Sequence, residues 1–368
     1  MKLLRTIIVL IIFSVNAFGQ KVTYNHIVKT EDSETKEVMT LFENYLASNP
    51  QEKQANPFWN QEEQEKHENF DFLEDEFQPS LYMGFPAHVL SIEFKKDVCR
   101  IKVQYAQYKE DGSPNVLAIV NYLAKKENGK YKLYNSLTYN REDWSCTKVG
   151  MVNFYYPVYH KFDYKKAEEL NVFIKEVCGQ FKVQPIAFEY YLADDYDEIQ
   201  KLKGIDYYLS MGGRSRPVGK ATKDKVYCGG LGEYYVHEVF HVQIDQHFPK
   251  RHFWASEGIA TLLGGSRGKS LAWHIKRTNR YLQQHPEIDL NEMFRLSNLD
   301  DQTAYHYVLG GLIAKKVRDK GGWDLLIELM SSRKTDEEYY NAIEECLGVK
   351  KSELNTYLRE QLEIESRD

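Results

Sequence analysis

Apolar residues change their period along this chain, and the change limits the folds open to it. From about residue 80 to Pro157 they alternate with polar ones in HVLSIEF, CRIKVQYAQY, VLAIVNYLA, YKLYNSLTY and VGMVNFYYP, separated by turn-like KKD, KEDGSPN and KKENGK. A period of two belongs to strands, and short polar breaks make them antiparallel neighbours. Ahead of them SETKEVMTLFENYLAS, Ser33 to Ser48, sets Val38, Leu41, Phe42 and Leu46 on one helical face. From Tyr234 onward the spacing is helical, predicting helices near 234–246, 256–263, 270–284, 303–319, 322–331, 336–346 and 351–364, with glycines and Pro249 between them. Between the two regimes, YKKAEELNVFIKEVCGQF reads as a helix, and PIAFEYYLA and DKVYCG as strands. The expected class is therefore α+β: a small helix-plus-antiparallel-sheet domain over residues 20–157, then a mostly helical domain over 158–368.

With 368 residues, 42% of them hydrophobic, the chain can bury two cores. Its net charge of −6, with basic residues spread along the chain, excludes a nucleic-acid footprint. At the start, Lys2 and Arg5 precede an apolar run from Ile7 to Val15, and Ala17 and Gly19 supply small residues for cleavage. That pattern predicts a signal peptide over residues 1–19, and hence a secreted or periplasmic protein. The run is well short of the roughly 20 residues needed to span a bilayer, so no stable membrane span is expected after cleavage. Five cysteines, Cys99, Cys146, Cys178, Cys228 and Cys346, form no C-x-x-C pair, which argues against a thiolate zinc cluster. Export permits disulfides, and Cys99 with Cys146 and Cys178 with Cys228 are the expected pairs, with buried thiols the alternative.

Within YYVHEVFHVQIDQHF, His237 and His241 stand four residues apart, one helical turn, and so share a face. Both rings can reach one metal ion. Glu238 sits one step around, where a carboxylate can serve as general base without being a ligand. Sixteen residues past His241, WASEGIATLL carries Glu257 in an apolar setting where a carboxylate needs a partner. Two histidines and one glutamate are a recurring catalytic zinc set that leaves a fourth position open.

HEVFH followed by WASEGIA resembles the gluzincin metallopeptidases, in particular the peptidase-MA-like group related to thermolysin and the aminopeptidase-N family. The resemblance implies a zincin-like catalytic domain that binds one Zn²⁺ per chain through His237, His241 and Glu257. It also implies hydrolysis of a peptide or protein substrate by a zinc-activated water, with Glu238 as base. In YHYVLGG, Tyr307 and Gly310 look like the Y-x-x-G of the helix after the zinc site, which nominates Tyr307 to steady the oxyanion, with Tyr305 as rival. By the same resemblance DKVYCG would form a sheet edge open to extended substrate, an ordinary buried strand being the alternative. The loop from His241 to Glu257 is shorter than in the aminopeptidase-N family. That family's G-x-M-E-N string has only a loose echo in GGLGE, so exopeptidase action is not supported. The first domain is faintly similar to a nuclear-transport-factor-2-like cone, its role unknown. His247, His252, His274 and His306 have no spacing partner and read as surface or core residues, and RGKSLAWHIKRTNR as the solvated face of a helix. A competing reading is a non-catalytic peptide- or ligand-binding protein on the same scaffold.

Overall fold

The computed structural model describes residues 22–48, 56–67, 69–77, 79–82, 84–212, 217–331 and 334–367. The expected signal peptide over residues 1–19 lies outside them. In chain order the elements are β1 (Val22–Tyr24), α1 (Ser33–Ala47), α2 (Gln61–Lys66), α3 (Pro79–Tyr82), β2 (Ala87–Lys95), β3 (Val98–Tyr108), β4 (Pro114–Glu127) and β5 (Lys130–Tyr134). Next come α4 (Ser136–Asn140), β6 (Ser145–Val149), β7 (Val152–Tyr156), α5 (Tyr164–Gln180), β8 (Phe188–Ala193), α6 (Tyr196–Leu202), β9 (Ile205–Tyr208), β10 (Val218–Thr222) and β11 (Lys225–Gly229). The remainder is helical: α7 (Val236–Ile244), α8 (Phe253–Gly264), α9 (Leu271–Gln284), α10 (Tyr305–Met330), α11 (Asp336–Leu347) and α12 (Leu354–Glu365). The protein is a mixed α+β chain, an N-terminal sheet unit followed by a largely helical part. Among the described residues, no helix is long and apolar enough to cross a membrane.

Contacts divide it into two compact units. The first takes the described residues up to Ser136 together with Gly204–Leu209; the second takes Leu137–Lys203 and everything from Ser210 onward. In the first unit the sheet runs β1-β2-β3-β4-β5, with β9 pairing β4. Alternation in β3 buries Ile101, Val103 and Tyr105 on the face that Phe42, Tyr45 and Leu46 of α1 also fill. Asp32 caps α1, its carboxylate accepting from the Thr35 amide at 2.9 Å.

The second unit's sheet runs β10-β11-β8-β7-β6, parallel in its middle and antiparallel at both ends. Two expectations are corrected here. VNFYY, read as the last strand of the N-terminal sheet, pairs instead with β8, Val152 opposite Phe188, so this strand falls on the other side of the expected boundary at 157. A two-residue period marks a strand but not its partner. DKVYCG is not the sheet edge: β11 is buried throughout between β8 and β10, and β10 takes the edge. The stretch YKLYNSLTY also splits, its second half turning into α4 after Asn135.

No disulfide joins the expected cysteine pairs; all five are free thiols. Cys178 Sγ faces Gln243 Oε1 and Cys228 Sγ faces the Gly232 carbonyl, each at 3.6 Å, so both thiols are engaged locally.

The helices of the second unit pack on one core. Val239, Phe240 and Ile244 of α7, Ile259 and Ala260 of α8, and Val308, Leu309 and Leu312 of α10 are all wholly buried. Where α8 crosses α10 the contact is backbone on backbone: a Cβ on Gly258 would stand 2.4 Å from the Gly310 carbonyl carbon. Only glycines permit this approach, and it holds the segment carrying Glu257 against the start of α10. The expected helices over 303–319 and 322–331 form one element bent at Gly321 and Gly322, the latter at φ +67.

Candidate metal centre

Helix α7 brings His237 and His241 onto one face, their rings 5.0 Å apart, and the second turn of α8 sets Glu257 opposite them. The Glu257 carboxylate lies 3.2 Å from His237 Nε2 and 3.6 Å from His241 Nε2. One ligand atom from each of the three residues falls within 4.8 Å of the others. His237 is buried, and its two partners are nearly so.

Each imidazole is held from behind. The Gly265 carbonyl accepts from His237 Nδ1 at 2.7 Å. That carbonyl is available because α8 stops there: Gly265 adopts φ +70 and its own N–H closes the helix on Thr261. On the other ring, His241 Nδ1 donates to Asp245 Oδ2 at 3.0 Å. Asp245 is in turn fixed by the Arg251 guanidinium at 2.6 Å and by the Ser256 hydroxyl at 2.7 Å. With Nδ1 protonated on both rings, both Nε2 atoms carry lone pairs and point at a carboxylate that can only accept. His241 Nε2 has no hydrogen-bond partner although it is buried. Three acceptors facing one another in a site largely shielded from solvent repel unless a cation sits among them. Two nitrogens and one carboxylate match zinc in residue type and number.

Ionisation follows the same logic. Burial pushes the Glu257 carboxyl up, but the positive charge that the facing imidazoles can carry, His241 first, overcomes it and holds it well below the usual carboxylate range. Burial pulls the His241 imidazole down, yet Glu257 and Asp245 carry it well above its usual value. Without a metal, a proton has to take the cation's place.

Glu238 is buried beside the pair. Burial raises its carboxyl, with His237 and His241 pulling back, and the Ala221 amide of β10 bonds to it. The edge strand presses on this residue: a Cβ at Gly219 would stand 2.2 Å from Tyr235 Cε1 and 2.8 Å from Glu238 Cγ. Any larger residue at 219 would displace the candidate base.

Tyr307 sets its ring edge-on to His237, centroids 5.6 Å apart. Its rival Tyr305 turns into the core beside Tyr281, where burial pushes its hydroxyl up to about 12. Sequence reasoning passed over Tyr235. That residue is buried, stacks on His237 at 6.0 Å, and is raised first by burial and then by the charges of Glu238 and Tyr307. No spacing rule points to a residue just ahead of a helix. Asp245 was passed over as well, although it stands one helical turn beyond His241 on the same face, a spacing that could have found it.

The remaining histidines divide. His252 caps α8, its Nδ1 accepting from the Trp254 amide at 3.3 Å. His274 is buried between the Thr303 hydroxyl and the Ser266 carbonyl. His306 lies nearer the site than its lack of a spacing partner suggests, its ring 4.1 Å from that of Tyr307. Burial, with Arg267 and His237 adding to it, pushes its imidazole down to about 4.

No protein-family model matches this sequence, and no curated protein does. Among solved structures the chain is similar to an M1 zinc metallopeptidase from Deinococcus radiodurans, at 11% identity and a TM-score of 0.31 over 77% of this chain. It is similar to a mutant of that enzyme bound to a Tyr-Ser-Ala substrate at 12% identity and TM-score 0.30, and to a two-domain M1 mutant bound to L-arginine at 11% and 0.32. The chain spans 64%, 64% and 63% of those three chains respectively. A likeness of this depth carries no argument about chemistry, which rests on the geometry above.

Proposed function

We propose that this chain is an exported zinc-dependent metallopeptidase of the gluzincin type, with His237, His241 and Glu257 as zinc ligands, Glu238 as general base and Tyr307 as oxyanion donor. The observation that supports the reading is the meeting of two imidazole Nε2 atoms, their Nδ1 protons committed elsewhere, with one carboxylate in a largely buried site. A zinc ion held there supplies a Lewis acid that polarises a peptide carbonyl and makes water acidic enough to attack at neutral pH. The chain's own groups do the rest. Glu238, buried one step round α7 from the ligand face, accepts the proton released as water attacks and returns it to the leaving amine. Tyr307, whose ring stands edge-on to that of His237, is the residue we assign to donate its phenol to the developing oxyanion. Gly265 and Asp245 keep both rings turned the same way through the cycle. On the leader read in residues 1–19, we propose the periplasm or the extracellular medium as the place of this activity.

Purified protein lacking residues 1–19, incubated with a diverse peptide library and read by mass spectrometry, tests the proposal. We expect cuts that vanish with a chelator and fall by at least about 10²–10⁴-fold in Glu238→Gln. Hydrolysis kept at the wild-type rate by that variant would refute the mechanism. Bound zinc without any cut would favour a non-catalytic binding protein on the same scaffold.

A further inference from the structure

Beside the candidate site stands a positive charge that the chemistry above does not use. Arg267 lies two residues beyond Gly265, in the loop whose carbonyl holds His237. Its guanidinium carbon is 5.5 Å from the Tyr307 ring centroid, and the Tyr307 ring is 5.6 Å from that of His237. Its charge and that of Glu257 are both felt at His306. Among the described residues, two other arginines near this region are neutralised: Arg251 by Asp245 at 2.6 Å, Arg277 by Asp300 at 2.7 Å. Arg267 instead donates to the backbone carbonyl of Asp301 at 2.8 Å, and among the described residues no carboxylate pairs with it. A half-buried guanidinium keeps most of its five donors for a planar anion.

The edge strand gives this charge a direction. Among the described residues β10 ends the sheet, so those of its outer backbone groups not already bonded, the Ala221 amide being taken by Glu238, can meet an added strand. Gly219 of β10 lies over Glu238, and the loop carrying Arg267 begins just past the strand's N-terminal end, where a Cβ on Gly268 would stand 3.4 Å from Pro217 Cγ. A peptide added antiparallel to β10 runs from the Thr222 end toward Val218, so its C-terminal part approaches Arg267.

We infer that Arg267 selects substrates bearing a carboxylate on the C-terminal side of the bond cut. This rests on the peptidase reading and adds a substrate class to it. The carboxylate belongs either to an acidic side chain or to the peptide's own C-terminus, and the two are separable.

The experiment uses fluorogenic peptides, chosen around a cut found in the library or, where there is none, from library members that bind the zinc-loaded protein, that differ only in Glu against Gln toward the C-terminal side and in a free against an amidated C-terminus. We expect zinc-loaded wild type to favour one carboxylate-bearing member by about tenfold to a hundredfold in kcat/KM. Arg267→Gln should bring that ratio to near one, whatever it does to absolute rate, and Arg267→Lys should restore part of it. Preference for Glu over Gln assigns a side-chain carboxylate; preference for the acid over the amide assigns the C-terminus. Binding of the same peptides to the zinc-loaded Glu238→Gln protein, by fluorescence anisotropy, separates the two readings. Carboxylate-dependent binding lost on adding R267Q sustains the inference even if nothing is cut. Equal cleavage or binding of acidic and neutral peptides by protein with Arg267 intact, or a preference that survives in R267Q, overturns it.

Discussion

Both units bury a carboxylate, and they surround it in opposite ways. In the first unit Asp71, 1% exposed, receives hydroxyls: Tyr45 and Tyr82, the latter at 3.2 Å, donate to Oδ2, Tyr122 reaches it at 3.4 Å, and Tyr105 bonds Tyr122 at 2.8 Å. The Leu73 amide takes the other oxygen at 3.1 Å. Burial raises the Asp71 carboxyl, against the pull of Tyr45 and the other donors. Burial, then the Asp71 charge, pushes the Tyr45, Tyr82, Tyr105 and Tyr122 phenols far up, so they stay protonated and keep donating. That cluster is closed. In the second unit Glu257 meets two imidazoles whose protons are committed elsewhere, so acceptor faces acceptor. Counting donors, rather than charges, separates a carboxylate whose acceptors are met from one that faces further acceptors.

The comparison is tested most severely by removing the structural carboxylate. Asp71→Ala leaves three phenols facing a void, and we expect a loss of about 3 kcal/mol or more, seen as a lower urea midpoint. Asp71→Asn, which keeps an acceptor, should cost about 1 kcal/mol. Equal tolerance of both would show that the cluster does not hold the first unit together. In the second unit the matching change, Asp245→Asn, should leave folding nearly intact while zinc affinity falls about 10–100-fold, measured by competition with a chelating dye. A large loss of stability with unchanged affinity would make Asp245 structural, and the contrast between the units would fail.

Legibility followed the range of the forces involved. Periodicity is local, so α1, α5 and α9 lie within a residue of where the pattern puts them, and even the bend of α10 at Gly321 and Gly322 coincides with the expected break between two helices. Pairing is not local, which is why β7 was recognised as a strand but given to the wrong sheet, and why β11 was left between a sheet edge and the buried strand it proves to be. Short elements such as α6 and β10 carry too few residues for a period to emerge. At the site, i,i+4 spacing delivered His237 and His241, and an apolar setting singled out Glu257. What the sequence hid was support arriving through the backbone. The Gly265 carbonyl behind His237, the Gly258 and Gly310 crossing and the Gly219 floor under Glu238 are contacts made by residues with no side chain to notice.

The central claim is that a cation closes the second cluster. Zinc content by elemental analysis, after loading and exhaustive dialysis of wild type and His241→Ala, tests it most directly. The account predicts about one equivalent in the wild type and almost none in the variant. Wild-type protein without zinc, or a variant that retains a full equivalent, would contradict it.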